Sequence, residues 1–414
     1  MSHDLAPRST TDSGAAARFP HKTMVKELHT WTLGDLRERG EQFLFPGGDV
    51  PDLIPRRMWK LVEANPDHPP DPPVAACLIV DGKRASSITL PNQTLRFRGE
   101  SYPCLWGHLW TNLEGNPLPG AGFLLMQQLV RRLMELGVAF AGTGPTKIAA
   151  PILERLGVKQ VSFCPRYVLA VGADALSRRM IGPGPMAKAG SVPLGVGVAA
   201  WANWARWRLA GDARAYRRRD LDSWNEDLRV LRNNPRAGYI HIGRSAEFVG
   251  WKENFSRWSA PKMVPRSFSL SRGGEPAGYV NMRYGVHERL GRMGFENARM
   301  LRVMDCVTDS PQATAAAVYH VIGIARETRC DFVEFVSSDA WLIRVARHAN
   351  LKESNGMAVH LRCPEGWTRE LQEGPARWNI GLMESDGAFA KAPVEDPEPV
   401  RTQLAVRRRS LAGP

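Results

Sequence analysis

CLWGHLWTNLEGNPLPGAGFLLMQQLVRRLMEL, residues 104–136, is the stretch on which the reading of this chain turns. Cys104 to Leu113 is apolar and rich in tryptophan, which predicts a buried strand. Gly115 to Gly122 follows with three glycines and two prolines, so the strand ends in a tight loop. From Phe123 to Leu136 apolar residues recur at helical spacing, among them Leu125, Leu129 and Leu133. The unit is strand, glycine loop, helix. The helix opens from Gly120-Ala121-Gly122 with no Ser, Thr, Asp or Asn to cap it. Its first amide N–H groups therefore lack a side-chain partner and suit an anion such as a phosphate.

The same arrangement resembles the acyl-coenzyme A site of the GNAT acyltransferases. In that family a strand splays from its neighbour, and a loop of pattern Gln/Arg-x-x-Gly-x-Gly/Ala holds the cofactor's pyrophosphate. Gly120-x-Gly122 matches the second half of the pattern; Pro117 stands where Gln or Arg is expected. The resemblance implies acyl-coenzyme A, acetyl-coenzyme A first, as donor substrate. It implies a donor site drawn from Trp110, Thr111, Asn112, Pro119, Gly120, Ala121, Gly122 and Phe123. It also implies an amine acceptor, which nothing in the sequence identifies.

Working outward, Trp31 to Phe45 and Arg56 to Ala64 are expected helices. Val74 to Val80 and Ala85 to Arg98 are expected strands about an Asp81-Gly82 turn. Val138 to Ala141 is a short strand, Pro145 to Arg155 a helix stopped by Gly157, and Gln160 to Ala170 a closing strand. This is the GNAT order, and PILERLGVKQV resembles the family's closing helix and turn. A second copy follows. A helix over Phe248 to Trp258 leads to strands over Pro265–Ser271, Ala277–Tyr284 and Ala298–Val307. Ser310-Pro311 then starts a helix, with Ser as cap and Pro at the first position. Asp331 to Val336 is a strand and Asp339 to His348 a helix, with Asn350 as its stop.

The expected fold class is α/β (α+β): two tandem GNAT-like domains, each a mixed, mostly antiparallel sheet flanked by helices. Residues 1–25 form a disordered tail, 26–171 the first domain, 172–235 a linker, 236–385 a degenerate second domain, and 386–414 a second disordered tail. In the linker, Gly182 to Gly197 is loop-like. A Trp- and Arg-rich helix over 198–219 follows and is expected to pack across the domains, with a peripheral membrane contact as the rival use. Gly195-Val-Gly197 is no dinucleotide fingerprint, because no strand precedes it, and Gly142-Thr-Gly144 lacks the Walker spacing.

Composition narrows the classes. The 414 residues are 43% hydrophobic and 23% charged, as in globular proteins, with a net charge of +13 that favours anionic partners. The six cysteines are dispersed without a C-x-x-C pair, which argues against zinc and disulfides and for reduced thiols in the cytoplasm. No metal is expected. The start carries no secretory signal, and no uncharged apolar run reaches spanning length.

The chemistry an acyl transfer needs is a proton off the amine and one onto the leaving thiolate. His108 lies on the strand with a suitable ordinary pKa, and Glu114 stands at its end; these two are the candidate bases. In the GNAT family a tyrosine serves as acid and an asparagine stands earlier. Counted back from Gly157, those positions hold Leu153 and Thr146. Asp305 lies on the equivalent strand of the second copy, which has no glycine loop, so that copy is expected to lack the phosphate site. Two other readings are a FemAB-like transferase using aminoacyl-tRNA and a non-catalytic GNAT-like scaffold. Nucleic acid is a partner under the FemAB-like reading alone.

Overall fold

Lys26–Trp31 is the first strand among the described residues, β1, and one that the sequence reading did not assign: its residues alternate in exposure along the edge of a sheet. The computed structural model describes residues 25–47, 52–66, 71–112, 118–182, 184–221, 239–243, 245, 247–252, 263–290, 295–367, 369–372 and 378–381. The expected tails, apart from Val25, and Glu114 lie outside them.

Helices α1 (Leu33–Leu44) and α2 (Arg56–Glu63) follow β1. Thr32 and Asp35 close a capping box at the start of α1, each side chain taking the other's backbone N–H. Strands β2 (Ala75–Val80) and β3 (Lys83–Thr89) form the expected hairpin. The expected second strand over 85–98 is two. Pro91 cannot donate to a ladder, so β3 ends before it and β4 (Leu95–Phe97) pairs elsewhere, with β5 (Glu100–Tyr102). The Cys104 strand is likewise two, β6 (Cys104–Trp106) and β7 (His108–Asn112). Helix α3 (Ala121–Glu135), β8 (Ala139–Thr143), α4 (Ala149–Arg155) and β9 (Lys159–Ala170) complete the first half. Gly157 ends α4 at a φ of 74°.

Helices α5 (Asp174–Ile181) and α6 (Pro185–Ala213) join the halves. The loop expected over 182–197 is helix from Pro185 on. Pro185 sits in the first turn, where its missing N–H is harmless. The glycines and Pro193 are carried by packing: Ala202, Ala205, Leu209 and Ala213 are buried in one core with the following half.

The second half repeats the first. It runs β10 (Arg217–Leu221), β11 (Ile240–Ile242), β12 (Met263–Arg272), β13 (Glu275–Leu290), β14 (Phe295–Thr308), α7 (Pro311–Glu327), β15 (Phe332–Val336), α8 (Ala340–His348), β16 (Lys352–Arg362) and β17 (Trp378–Asn379). Of the helix expected over 248–258, residues 247–252 are helical and the rest lie outside the described residues. Strand β10 falls in the expected linker yet pairs with β12.

The order β1-β2-β3-β7 is matched by β10-β12-β13-β14, antiparallel throughout. In each half the fourth strand then turns parallel to the next, β6 to β8 and β14 to β15. The closing strands are exchanged. β9 of the first half pairs with β15 of the second, β16 of the second pairs with β8 of the first, and β9 and β16 pair with each other. One core accordingly holds Trp106 and Ala141 together with Met304, Val336, Val359 and Leu361.

The second half also contributes a loss of stability on the acid side. Burial, with Arg218 and Arg206 adding to it, lowers the His320 pKa from 6.5 to about 4. Burial and Arg302 do the same to His287, to about 4. Both imidazoles are neutral in the folded chain, while the unfolded chain binds their protons below about pH 6.5. Their contribution to stability is therefore flat above that pH and falls between about 6.5 and 4. His320→Gln should remove about 2 kcal/mol of this loss, after discounting for partial exposure. Melting temperatures of the two proteins from pH 7 to 4 would show parallel curves if His320 has no part.

Candidate functional site

The site is built where β6 becomes β7. Cys104, Leu105 and Trp106 pair with Ala139, Phe140 and Ala141, and the last bond runs from Gly107 N–H to Ala141 O at 2.9 Å. Beyond it β7 pairs with β3 alone, His108 opposite Thr89 and Asn112 opposite Ser86, while β8 pairs with β16. A wedge opens between β7 and β8. Two residues make the bend. A methyl group on Gly107 would lie 2.8 Å from Phe140 Cζ, so only glycine lets the strands part this closely. Leu109 sits at a φ of 52°, a left-handed backbone that bulges the strand. Neither was singled out from the sequence; a glycine between two tryptophan-bearing segments is the signal that could have flagged the break.

Helix α3 begins beside the wedge. Gly120 is its N-cap at a φ of 79°, with no side chain capping the turn. A methyl group on Gly122 would come within 2.7 Å of Asn112 Oδ1 and 3.0 Å of Trp110 Nε1. Trp110, Asn112, Gly120 and Gly122 are thus brought together around the start of α3. Thr111 is not: it turns to β3, where Ser86 Oγ donates to its carbonyl at 2.7 Å and Ser87 Oγ lies 3.3 Å from its hydroxyl. Ala121 is buried, Phe123 packs half-buried on the α3 core, and Pro119 is exposed in the preceding turn.

His108 is buried, at 2% exposure. Leu153 is a core residue of α4, and Thr146 Oγ1 accepts the Ala149 N–H at 3.1 Å, so neither offers an acid. The strand exchange delivers His360 on β16, opposite Gly142, which sequence reasoning missed because it assigned no strand after Asn350. Burial lowers its pKa, with Glu154 opposing the shift, so its imidazole is neutral. Cysteine chemistry is set aside. Burial pushes Cys77 and Cys330 up to about 11, Cys363 to about 12 and Cys104 well above the usual range. Among the described residues no cluster of His, Cys, Asp and Glu could hold a metal, and no helix is long and apolar enough to cross a membrane.

The second half has the same wedge, since β14 leaves β15 after Val303. Its helix start is closed. Ser310 Oγ accepts the Ala313 N–H at 3.1 Å, Pro311 has no N–H to give, and Asp309 places a carboxylate alongside. An anion finds donors at α3 and an acid with a filled cap at α7.

The sequence matches no family model and no curated protein. Solved structures do match. A conserved protein of unknown function from Enterococcus faecalis, described as a probable N-acyltransferase, aligns with a TM-score of 0.51 and 12% identity over 83% of this chain and 73% of that one. A GCN5-related N-acetyltransferase from Anabaena variabilis aligns at 0.48 and 13% identity over 73% of this chain, which spans only 64% of that protein's length. The Saccharomyces cerevisiae N-myristoyltransferase with bound myristoyl-CoA aligns at 0.46 and 12% identity, covering 82% of this chain and 83% of that one. By the first likeness the chain has the fold of a probable N-acyltransferase, and the order of its strands and helices is GNAT-like in both halves.

Proposed function

We propose that this chain is an acyltransferase, moving an acyl group, acetyl first among the choices, from acyl-coenzyme A to an amine, with the donor held in the first half. One observation carries the reading: an open wedge between β7 and β8 lies beside an uncapped helix start walled by Trp110 and Asn112. The pyrophosphate would take the amide N–H groups at Gly122 and Phe123, where the helix dipole adds attraction. The thioester would enter the wedge, where backbone groups on the open side of β7 can polarise its carbonyl. The amine nitrogen then bonds to the carbonyl carbon, the C–S bond breaks, the amine gives up a proton and the thiolate gains one. His108 is the base we favour on the described residues, with Glu114 as the second candidate.

The buried Leu153 favours one rival, a coenzyme A binder without turnover. Calorimetry with coenzyme A tests the site; release of free thiol from acetyl-coenzyme A across a panel of amines tests the transfer. Binding without release would leave the rival standing. If His108 is the base, His108→Ala lowers the rate by about 100-fold. An unchanged rate in that variant, with Glu114→Gln also at the parent rate, would leave positioning as the source of catalysis.

A further inference from the structure

Helices α5 and α6 lie between the two repeated strand orders. Among the described residues they carry most of the exposed large apolar side chains. One side of α6 is buried against the core that holds α7, through Ala202, Ala205, Leu209 and Ala213. The opposite side carries Met186 at 76% exposure, Val196 at 70% and Trp207 at 72%, with Val192 and Trp204 between them. Met180 and Ile181 extend the row at the α5 end. Large apolar side chains this exposed, in a row along a helix of 29 residues, mark a surface that meets another phase or molecule.

Charge around the row is one-sided. From Asp174 to Leu221 there are nine basic and three acidic side chains. Two of the acids are engaged, Asp174 with Arg299 and Asp220 with Arg218. At the hairpin a cavity of about 350 Å³ is lined by Asp174, Arg178, Gly184, Pro185, Lys188 and Ser191, so two cations face a space the size of a small polar group. At the other end the Arg208 guanidinium stacks over the Trp204 ring, 4.9 Å from its centroid, beside exposed Arg217 and Arg219.

We propose that the α5–α6 hairpin seats this protein on an anionic bilayer surface, with α6 lying in the plane of the headgroups. Tryptophans beside arginines match the boundary between acyl chains and headgroups, where one end of each ring is apolar and the other wet. The aliphatic run from Met186 to Val196 reaches the acyl region. Arg178 and Lys188 take a phosphodiester headgroup in the cavity, and the surrounding cations add the attraction of a negative leaflet. A second copy is a poorer occupant, because pairing two such faces would stack like charges. A nucleic acid is poorer still, since methionine and valine side chains do nothing for a phosphate backbone. This inference stands apart from the acyl-transfer reading and does not depend on it.

The test uses the full chain and extruded vesicles of phosphatidylcholine, alone or with about 30 mol% phosphatidylglycerol, sedimented at about 0.05 M and 0.5 M salt. The expected result is partition onto the anionic vesicles at least about tenfold above the neutral ones, falling about tenfold at high salt. Trp204→Glu with Trp207→Glu, both at exposed positions, should lower binding about tenfold or more with an unchanged circular dichroism spectrum. Lys188→Glu should weaken it in anionic vesicles only. Parent protein left in the supernatant at low salt overturns the proposal, as does equal sedimentation of the double variant. A dimer in sedimentation velocity that Trp207→Glu separates, without vesicle binding, identifies a second copy as the occupant and overturns it too.

Discussion

Gly122→Val should bind coenzyme A about a hundredfold more weakly than the parent while remaining folded. Its new Cβ would sit 2.7 Å from Asn112 Oδ1 and 3.0 Å from Trp110 Nε1, so both walls of the helix start must move. The added methyls cover the amides that a pyrophosphate would take, and repacking costs about 1–3 kcal/mol of stability. Gly120 provides the contrast. A methyl there meets nothing within 4 Å, but the φ of 79° strains any other residue. Gly120→Ala should therefore cost about 1 kcal/mol of stability and less than about tenfold in affinity. Titration calorimetry on both variants, with melting curves as the control for folding, separates the two effects. Parent affinity in folded Gly122→Val would move the donor site away from α3.

Leu169→Ala and Leu361→Ala should each lower global stability by about 2–5 kcal/mol, and both should shift one shared unfolding transition. Leu169 belongs to β9 of the first half yet is buried in the second half's core, against Leu301 and Val333. Leu361 belongs to β16 of the second half yet is buried with Trp106 and Ala139. With the closing strands exchanged, neither half can unfold and leave the other's sheet intact. Scanning calorimetry on the parent and both variants decides it: two transitions, only one of which moves per variant, would mean independent halves. The sequence led to the opposite expectation, that residues 236–385 fold alone. That segment lacks β10 at one edge of its sheet and β9 beside β15, so it should give no cooperative melt.

What was legible in the sequence was local. Ser310-Pro311 announced α7 because cap chemistry acts over three residues, and Gly157 and Asn350 announced helix ends because few residues accept a left-handed backbone. The glycine loop before α3 was legible for the same reason. The break at Gly107 was not, since the apolar run continues on both sides of it and the bend is imposed by Phe140 from another strand. Strand β16 was missed because Lys352 to Asn355 is polar and exposed; its strand character comes from the neighbours β8 and β9. Helix α6 was half missed because glycines and a proline argue for loop, and only burial against α7's core overrides them. Pairing between halves leaves no periodicity to read.

The exchange also fixes an order of events at the ribosome. Strand β8 ends at Thr143, and its partner β16 begins at Lys352, roughly 200 residues later. At about 5–20 residues per second, the first half waits some ten to forty seconds with one side of β8 unpaired. An open strand edge of that lifetime is a place where two nascent chains can join. This protein's yield in a cell should thus depend on how fast the roughly 200 residues between β8 and β16 are made, and on what shields that edge meanwhile.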